Sequence, residues 1–396
     1  MDGESMSEWK EVKLGDVGKI VGGATPSTRN PQNYGGVIPW ITPKDLSINK
    51  ERFIEFGERN ISEQGFNSCS AKMLPKGSIL FSSRAPIGYV AIAHTSLCTN
   101  QGFKSFVPDT DKMDSMFSYY LLKHNSENIA NLGSGTTFME VSGKVMSDYI
   151  VNIPDLSTQR EIAGILSSLD AKIETNNKLN VKLEEMAQAI FKSWFVDFEP
   201  FKDRPFHETE LGMIPEGWEV GSILDIAELF DYQRKPLSSM EREYMKGKYP
   251  YYGATSIMDY IDKYIFDGTY LLMGEDGSVV KENGNPYLQY VWGKFWPNNH
   301  AHVMQGRNGF STEMLYCLLS ITDVSSIVTG AVQMKISQRS MSRLLTVIPS
   351  KSVCKKFNTI IRPIFDIIKR IREENDRLAS LRDTLLPRLM SGEIKI

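Results

Sequence analysis

The 396-residue chain repeats itself with a period of about half its length, and no other feature restricts its fold as strongly. Trp9, Leu14, Asp16 and Val17 recur at an offset of 209 as Trp218, Ile223, Asp225 and Ile226. Gly77-Ser78-Ile79-Leu80-Phe81 resembles Gly268-Thr269-Tyr270-Leu271-Leu272, and Tyr119, Leu121, Leu122 and Gly133 recur at an offset of 197 as Tyr316, Leu318, Leu319 and Gly330. Order is kept throughout. Each copy reaches an Ile-Pro step, Ile153-Pro154 and Ile348-Pro349, after which the pattern changes to long helical periodicity. The organisation is therefore globular, helix, globular, helix.

The globular stretches hold short runs rich in Val, Ile, Phe and Tyr between Gly, Pro, Asn and Ser, such as Ser78 to Phe81, Gly88 to Ile92 and Tyr287 to Trp292. These read as strands and turns, with short helices at Met113 to His124 and Thr312 to Ile321. The first long helix, Thr158 to Phe195, takes Ser157 and Thr158 as candidate caps. Its apolar stripe runs Ile162, Ile165, Leu169, Ile173, Leu179, Leu183, Met186, Ile190 and Trp194. The second carries Phe357, Ile361, Ile364, Ile368, Ile371, Leu378, Leu385 and Leu389 in threes, fours or their multiples, a coiled-coil period, with Pro363 a candidate kink. Ile173, Leu183, Ile190, Ile364, Ile371, Leu378 and Leu385 are expected to pack the two helices together. Asn176 and Asn375 are candidates for fixing their register, against simple solvent exposure at a helix midpoint.

At about 1.5 Å per residue the first helix is about 57 Å long, and the link from its end to Trp218 is too short to return along it unless nearly fully extended. The second globular domain is thus expected at the far end, with its helix running back antiparallel. The fold class expected is α+β: two pseudo-symmetric α/β domains separated by a long antiparallel two-helix coiled coil. The boundaries are 1–153 and 216–349 for the globular domains, 154–199 and 350–396 for the helices, and 200–215 for a linker.

Composition enters by exclusion. Apolar residues make up 41% and charged residues 23%, those of an ordinary globular chain rather than a disordered one. The net charge of −3 argues against coating nucleic acid by bulk electrostatics, so any such binding must come from local patches. The apolar runs are too short to span a bilayer and Met1-Asp2-Gly3-Glu4-Ser5 is no basic signal-peptide start, so a cytoplasmic protein without membrane association is expected. Cys69, Cys98, Cys317 and Cys354 lie far apart and read as reduced thiols.

Two related but different domains on a stiff spacer suit a ligand with two separated features, such as duplex DNA with an asymmetric, gapped site. With Phe206-His207-Glu208-Thr209-Glu210-Leu211-Gly212-Met213-Ile214-Pro215-Glu216-Gly217-Trp218, the block Gly268 to Ser278, Asn298-Asn299-His300-Ala301-His302 and the ending Leu386 to Ile394, the chain resembles a type I restriction-modification specificity subunit along essentially its whole length. The resemblance implies two target-recognition domains reading double-stranded DNA and no catalysis in this chain. It also implies two adenine methyltransferase (M) subunits docked on the helices and target domains, and separate motor-nuclease (R) subunits that cleave. No cofactor is expected here; S-adenosylmethionine belongs to the methyltransferase partners. In agreement, Asn30-Pro31-Gln32-Asn33-Tyr34 lacks the second proline of an amino-methylation motif, and Gly143-Lys144 lacks the setting of a P-loop. A scaffold that assembles partners and reads nothing is the alternative.

Base readout needs donors and acceptors on rigid loops. In the first domain the candidates are Ser83 and Arg84 after a strand, Asn100 and Gln101, with Lys44 and Lys104 in support; Arg84 as a surface ion-pair residue is the bland reading. In the second domain Glu275, Asp276, Asn298, Asn299 and His300 occupy the corresponding places, a carboxylate either accepting from cytosine N4 or merely ending a turn. The Gly133-Ser134-Gly135-Thr136-Thr137 stretch and its partner Gly330-Ala331-Val332-Gln333 are either phosphate-facing backbone or plain turns. Thr136, Lys144, Gln333, Lys335, Gln338 and Arg339 are the contacts they suggest, against a solvated face. His300 and His302, two apart, would share a strand face and could begin a metal site, but packing or DNA contact is the expectation and no metal is assigned. Glu393-Ile394-Lys395 reads as a frayed helix end rather than a nuclease motif.

Overall fold

The computed structural model describes residues 9–49, 51–135, 139–330 and 333–396. The chain divides into two compact units, one of residues up to Asn177 together with Arg372–Ile396, the other of Lys178–Ile371. Each contains a globular part and a portion of both long helices.

The first unit opens with Lys10–Lys13 paired antiparallel to Ile150–Ile153, Lys10 opposite Ile153. Its main sheet has the order Gly18–Gly22, Lys104–Pro108, Ile79–Ser83, Ile87–Ala93, Phe53–Ile54. Ile79–Ser83 is buried over its full length, which explains why it reads as an unbroken apolar run in Ile79, Leu80 and Phe81 rather than an alternation. Helix Ser115–His124 starts where the Asp114 side chain accepts from the Phe117 amide. It buries Phe117, Tyr120, Leu121 and Leu122 in the core formed with Ile79, Phe81 and Phe106.

The second unit repeats this plan. Glu219–Ser222 pairs with Leu345–Ile348, Glu219 opposite Ile348. Its main sheet has the order Ala227–Leu229, Ala301–Gly306, Tyr270–Gly274, Leu288–Val291, and helix Thr312–Ser320, capped by Ser311, packs on it. Short parallel contacts match as well: Trp40–Ile41 with Cys98–Thr99 in the first unit, Tyr251 and Tyr252 with Trp296 and Pro297 in the second. The segment expected as a plain linker contains a hairpin, Phe206–Thr209 against Gly212–Pro215, turned by Gly212 at φ 95°.

The long helices span Leu156–Phe195 and Lys351–Met390, 40 residues each. The first begins earlier than its Ser and Thr suggested, because the Asp155 carboxylate accepts from the amides of Ser157 at 2.9 Å and Thr158 at 3.1 Å and serves as the cap. Pro363 lies inside an unbroken helix, between the buried Ile361 and Ile364. In the first unit the helices run antiparallel, with Asp170 bonded to Arg382 and Asn176 to Asn375. In the second, Phe191 and Phe195 meet Phe357 at ring-centroid distances of 5.8 and 4.8 Å.

Leu183, Ile364 and Ile371 are buried, while Ile173, Ile190, Leu378 and Leu385 are half-buried. The apolar stripe expected on the first helix needs a correction: Ile165, Leu179 and Met186 are exposed. The buried face instead runs through Ile162, Ala163, Leu166, Asp170, Asn176, Asn180, Leu183, Ala187, Phe191 and Phe195. A hydrophobicity pattern passes over that line because alanine and hydrogen-bonded polar residues occupy part of it. Cys98, Cys317 and Cys354 are buried free thiols, and Cys69 is partly exposed. Burial raises the Cys98 and Cys354 thiols to about 12 and about 11, which keeps them protonated and unreactive. Among the described residues no helix is long and apolar enough to cross a membrane.

Candidate nucleic-acid interface

The same backbone frame builds one candidate site in each unit. In the first, strand Ile79–Ser83 ends at the candidate loop, where the Ser83 amide donates to the Gly102 carbonyl at 2.7 Å and the Val141 amide to the Ser83 carbonyl at 3.0 Å. In the second, the Glu275 amide donates to the His300 carbonyl and the Ile336 amide to the Glu275 carbonyl, both at 2.8 Å. The loop before each returning strand is locked by the same Asx turn: Asn100 Oδ1 accepts from the Gly102 amide and Asn298 Oδ1 from the His300 amide, each at 2.8 Å. Bridges Ser134 to Glu140 and Thr329 to Lys335 close the third loop in the same way. Ser83 thus corresponds to Glu275, Arg84 to Asp276, Asn100 to Asn298, Lys104 to His302 and Glu140 to Lys335.

Side chains at these matched positions differ. In the first unit Glu140 stands between two cations, 2.9 Å from Lys104 Nζ and 3.7 Å from Arg84 Nη1. Lysine takes the hydrogen bond, and the guanidinium, beyond that reach and 34% exposed, keeps its donors unbonded by side chains among the described residues. In the second unit Glu275 is bound by Arg234 at 2.6 Å and Lys335 at 3.2 Å. Asp276 holds His300 through Nδ1, leaving the ring 46% exposed with Nε2 unbonded by protein among the described residues.

Beneath this second loop lies a polar network that the sequence reading did not foresee. The Asp231 carboxylate accepts from His302 Nδ1 at 2.6 Å, Gln338 Nε2 at 2.7 Å and the Val303 amide at 2.8 Å. Burial by itself would raise the Asp231 carboxyl, but these bonds outweigh it and hold the group below its ordinary value. Asp231, Glu275 and His302 bring ligand atoms within 4.8 Å of one another. Both nitrogens of His302 are nevertheless engaged, Nε2 with the Ile336 carbonyl at 2.7 Å, and Arg234 bonds the Glu275 carboxylate and the Ala301 carbonyl. The cluster is an ion-pair network that stiffens the loop. Apart from their contact with each other, Asp231 and Arg234 bond partners 41 to 107 residues away, a separation no local pattern marks.

The remaining candidates divide by accessibility. Ser83 is fully buried and Asn298 is 3% exposed, so both are corrected from readers to framework residues: the inward side of the strand and the Asx turn require them there. The shared strand face expected for His300 and His302 is also corrected. His300 is exposed in the turn before strand Ala301–Gly306, and His302 is buried beneath it. Lys44 is paired with Glu58 at 2.6 Å. Gln101 is exposed and contacts Thr25. Asn299, Gln333, Lys335, Gln338, Arg339 and Lys144 present exposed side chains, Gln338 already bonded to Asp231. Thr136 lies outside the described residues. Glu393 bonds Arg388 at 2.8 Å, an ordinary helix-end pair.

A separate surface feature belongs to the helices. Exposed apolar residues recur at multiples of seven on each, Ile165, Leu179 and Met186 on the first, Ile360, Ile367 and Leu381 on the second. One heptad position on each helix is thus uncovered and apolar at three places, interrupted by Lys172 and Glu374, which pair at 3.5 Å.

Comparison with known proteins adds the family context. The sequence profile described as a type I restriction modification DNA specificity domain matches residues 6–185 and 215–379. The type I restriction enzyme MjaIX specificity subunit of Methanocaldococcus jannaschii is 33% identical, over all of this chain and 95% of that protein. The HindI specificity subunit of Haemophilus influenzae is 24% identical over 98% of this chain and all of its own length. A type I restriction-modification S subunit from M. genitalium, solved by crystallography, covers 98% of both chains with a TM-score of 0.56 at 18% identity, a likeness of fold.

Proposed function

Because this chain belongs to the family of type I restriction-modification DNA specificity subunits, and is thus a DNA-binding, non-catalytic subunit, we propose that its two recognition domains each read one half of a bipartite, gapped site in double-stranded DNA. The observation that carries this reading is the repeated backbone frame with different side chains at matched positions, Arg84 against Asp276 and Glu140 against Lys335. One frame with two chemistries supports two different half-sites. Residues 1–153 and 216–349 serve as the reading domains, 154–199 and 350–396 as the helical spacer and 200–215 as the link.

The helices dock two adenine methyltransferase subunits. The uncovered apolar positions Ile165, Leu179 and Met186, and Ile360, Ile367 and Leu381, support this, since the duplication offers a similar surface twice. S-adenosylmethionine is bound by those partners, and motor-nuclease subunits join the full complex in the cytoplasm. With a net charge of −3 the chain alone grips DNA weakly and with strong salt dependence, and its partners supply the remaining affinity.

The test is co-expression with the cognate methyltransferase subunit in a methylation-free host, followed by single-molecule mapping of N6-methyladenine. A gapped, asymmetric motif that disappears without this chain is expected, and exchange of residues 1–153 for those of another specificity subunit changes one half of it. A stable complex that yields no motif would favour a scaffold that reads nothing.

A further inference from the structure

We propose that the two domains read base edges of opposite hydrogen-bonding polarity: the first donates through Arg84, positioned by Glu140, and the second accepts through His300, positioned by Asp276. The ligand edges follow. The first unit takes an acceptor-rich edge, the O6 and N7 side of guanine, and the second an exocyclic amino group, N4 of cytosine or N6 of adenine. This deepens the DNA-reading assignment and rests on it.

The argument starts from register. Ser82 bridges to Phe103 in the first unit where Gly274 pairs with Ala301 in the second. Two residues further along the first strand stand Arg84 and Asp276, a cation and an anion on the same piece of backbone. The residue that closes the third loop is inverted with them, Glu140 bridging to Ser134 and Lys335 to Thr329. The charges at these two backbone positions are therefore inverted between the domains; Arg84 and Glu140 face each other in the first, while in the second Asp276 holds His300 and Lys335 holds Glu275.

Guanidinium has only donors. Because Lys104 takes the 2.9 Å bond to Glu140, the Arg84 fork, 3.7 Å from the other carboxylate oxygen, lies in its field without a hydrogen bond to it. An arginine serving only as a structural ion-pair partner would bond its carboxylate at hydrogen-bond distance, as Arg234 does with Glu275 at 2.6 Å. In the second unit the same logic gives an acceptor. The tautomer with its proton on Nδ1, toward the Asp276 carboxylate, has its lone pair on Nε2, which no described protein group bonds, on a side chain 46% exposed. Glu275 contributes none, since Arg234 and Lys335 occupy it.

The experiment maps methylation motifs for the assembled complex carrying Arg84→Gln, Glu140→Gln, His300→Phe or the unaltered chain. Competition binding then uses duplexes in which 7-deazaguanine replaces guanine, or a base without its amino group replaces cytosine or adenine. Arg84→Gln should relax one guanine position in one half-site and lower discrimination there by about ten- to a hundredfold, with the other half unchanged. Arg84→Lys, which keeps the charge and loses the fork, should recover affinity but not discrimination. Glu140→Gln should relax the same position less, and His300→Phe should relax a cytosine or adenine position in the other half only. A bipartite motif unchanged by Arg84→Gln and His300→Phe, a uniform loss in both halves, or relaxation at bases of the opposite polarity would overturn the proposal while leaving two-domain reading intact. An unaltered chain that yields no motif would overturn both.

Discussion

Asn176 donates from Nδ2 to Oδ1 of Asn375 at 2.8 Å across the helix pair, and Asn375 returns a bond of 2.8 Å to Asn177. Asn176 is 2% exposed. Asn176 Nδ2 also donates to Glu374 Oε2 at 2.8 Å, and a shift of either helix by a single residue would separate the three groups, so this polar contact favours one register.

Asn375→Ala should destabilise the first unit by about 0.5–1.5 kcal/mol, the loss of a hydrogen bond, since Asn176 Nδ2 keeps its 2.8 Å bond to Glu374. Replacing Asn176 and Asn375 together with leucine should recover most of that loss while weakening register. Chemical denaturation of the two single variants and the double variant measures the coupling, and additive losses would rule out a shared bond.

The second polar tie is Asp170, which accepts from Tyr120 at 2.6 Å on one side and from Arg382 at 2.6 Å on the other. Asp170→Ala leaves a largely buried guanidinium with only its bond to Asp383 at 2.9 Å, so a loss of about 1.5–3 kcal/mol is expected, confined to the first unit. Hydrogen exchange should show faster opening of the 372–390 helix segment and unchanged protection in the sheet around Leu271.

Acid should act on Glu174. Burial favours its neutral form, but the paired bonds from Arg52, at 2.8 and 2.9 Å, prevail and hold the carboxyl below its ordinary value. A depressed folded-state value means the stabilisation is present in full above the unfolded value of about 4.3 and is lost as pH falls through the folded one. Thermal melts should therefore hold steady above about pH 5 and decline below about pH 4, with a shallower decline in Glu174→Gln. An identical slope in the variant would remove Glu174 from the account.

The aromatic cluster of the second unit has no polar equivalent of this kind: Phe357 contacts Phe191, Trp194 and Phe195 with centroids at 4.8 to 5.8 Å. Phe357→Ala should cost about 3–5 kcal/mol, independent of pH between about 4 and 8, where no group in that contact titrates. Differential scanning calorimetry at two pH values tests both halves of the statement.

For docking, Ile165→Asp and Ile360→Asp place a charge at exposed positions, so the melting temperature of the isolated chain should change by no more than a few degrees. Association with the methyltransferase subunit should fall at least tenfold for each, and the pair together should abolish the complex in size-exclusion chromatography. Unaltered assembly would move the docking surface elsewhere.

The sequence alone determined the duplication and the alternation of sheet domain and long helix, because each is written in local order or in a fixed offset that folding preserves; Asn176 and Asn375 were candidates there, and the contact between them belongs to the fold. It also pointed to the candidate loops, since strands such as Ile79–Ser83 announce their ends by composition. What each side chain does there was decided by the tertiary structure. Ser83 and Arg84 are neighbours in sequence, yet the pleat turns one into the core and the other outward. Glu140 reaches Lys104 across 36 residues and Gln338 reaches Asp231 across 107. Burial and pairing at such separations depend on where the whole chain returns, and one-dimensional order does not encode that in any short pattern.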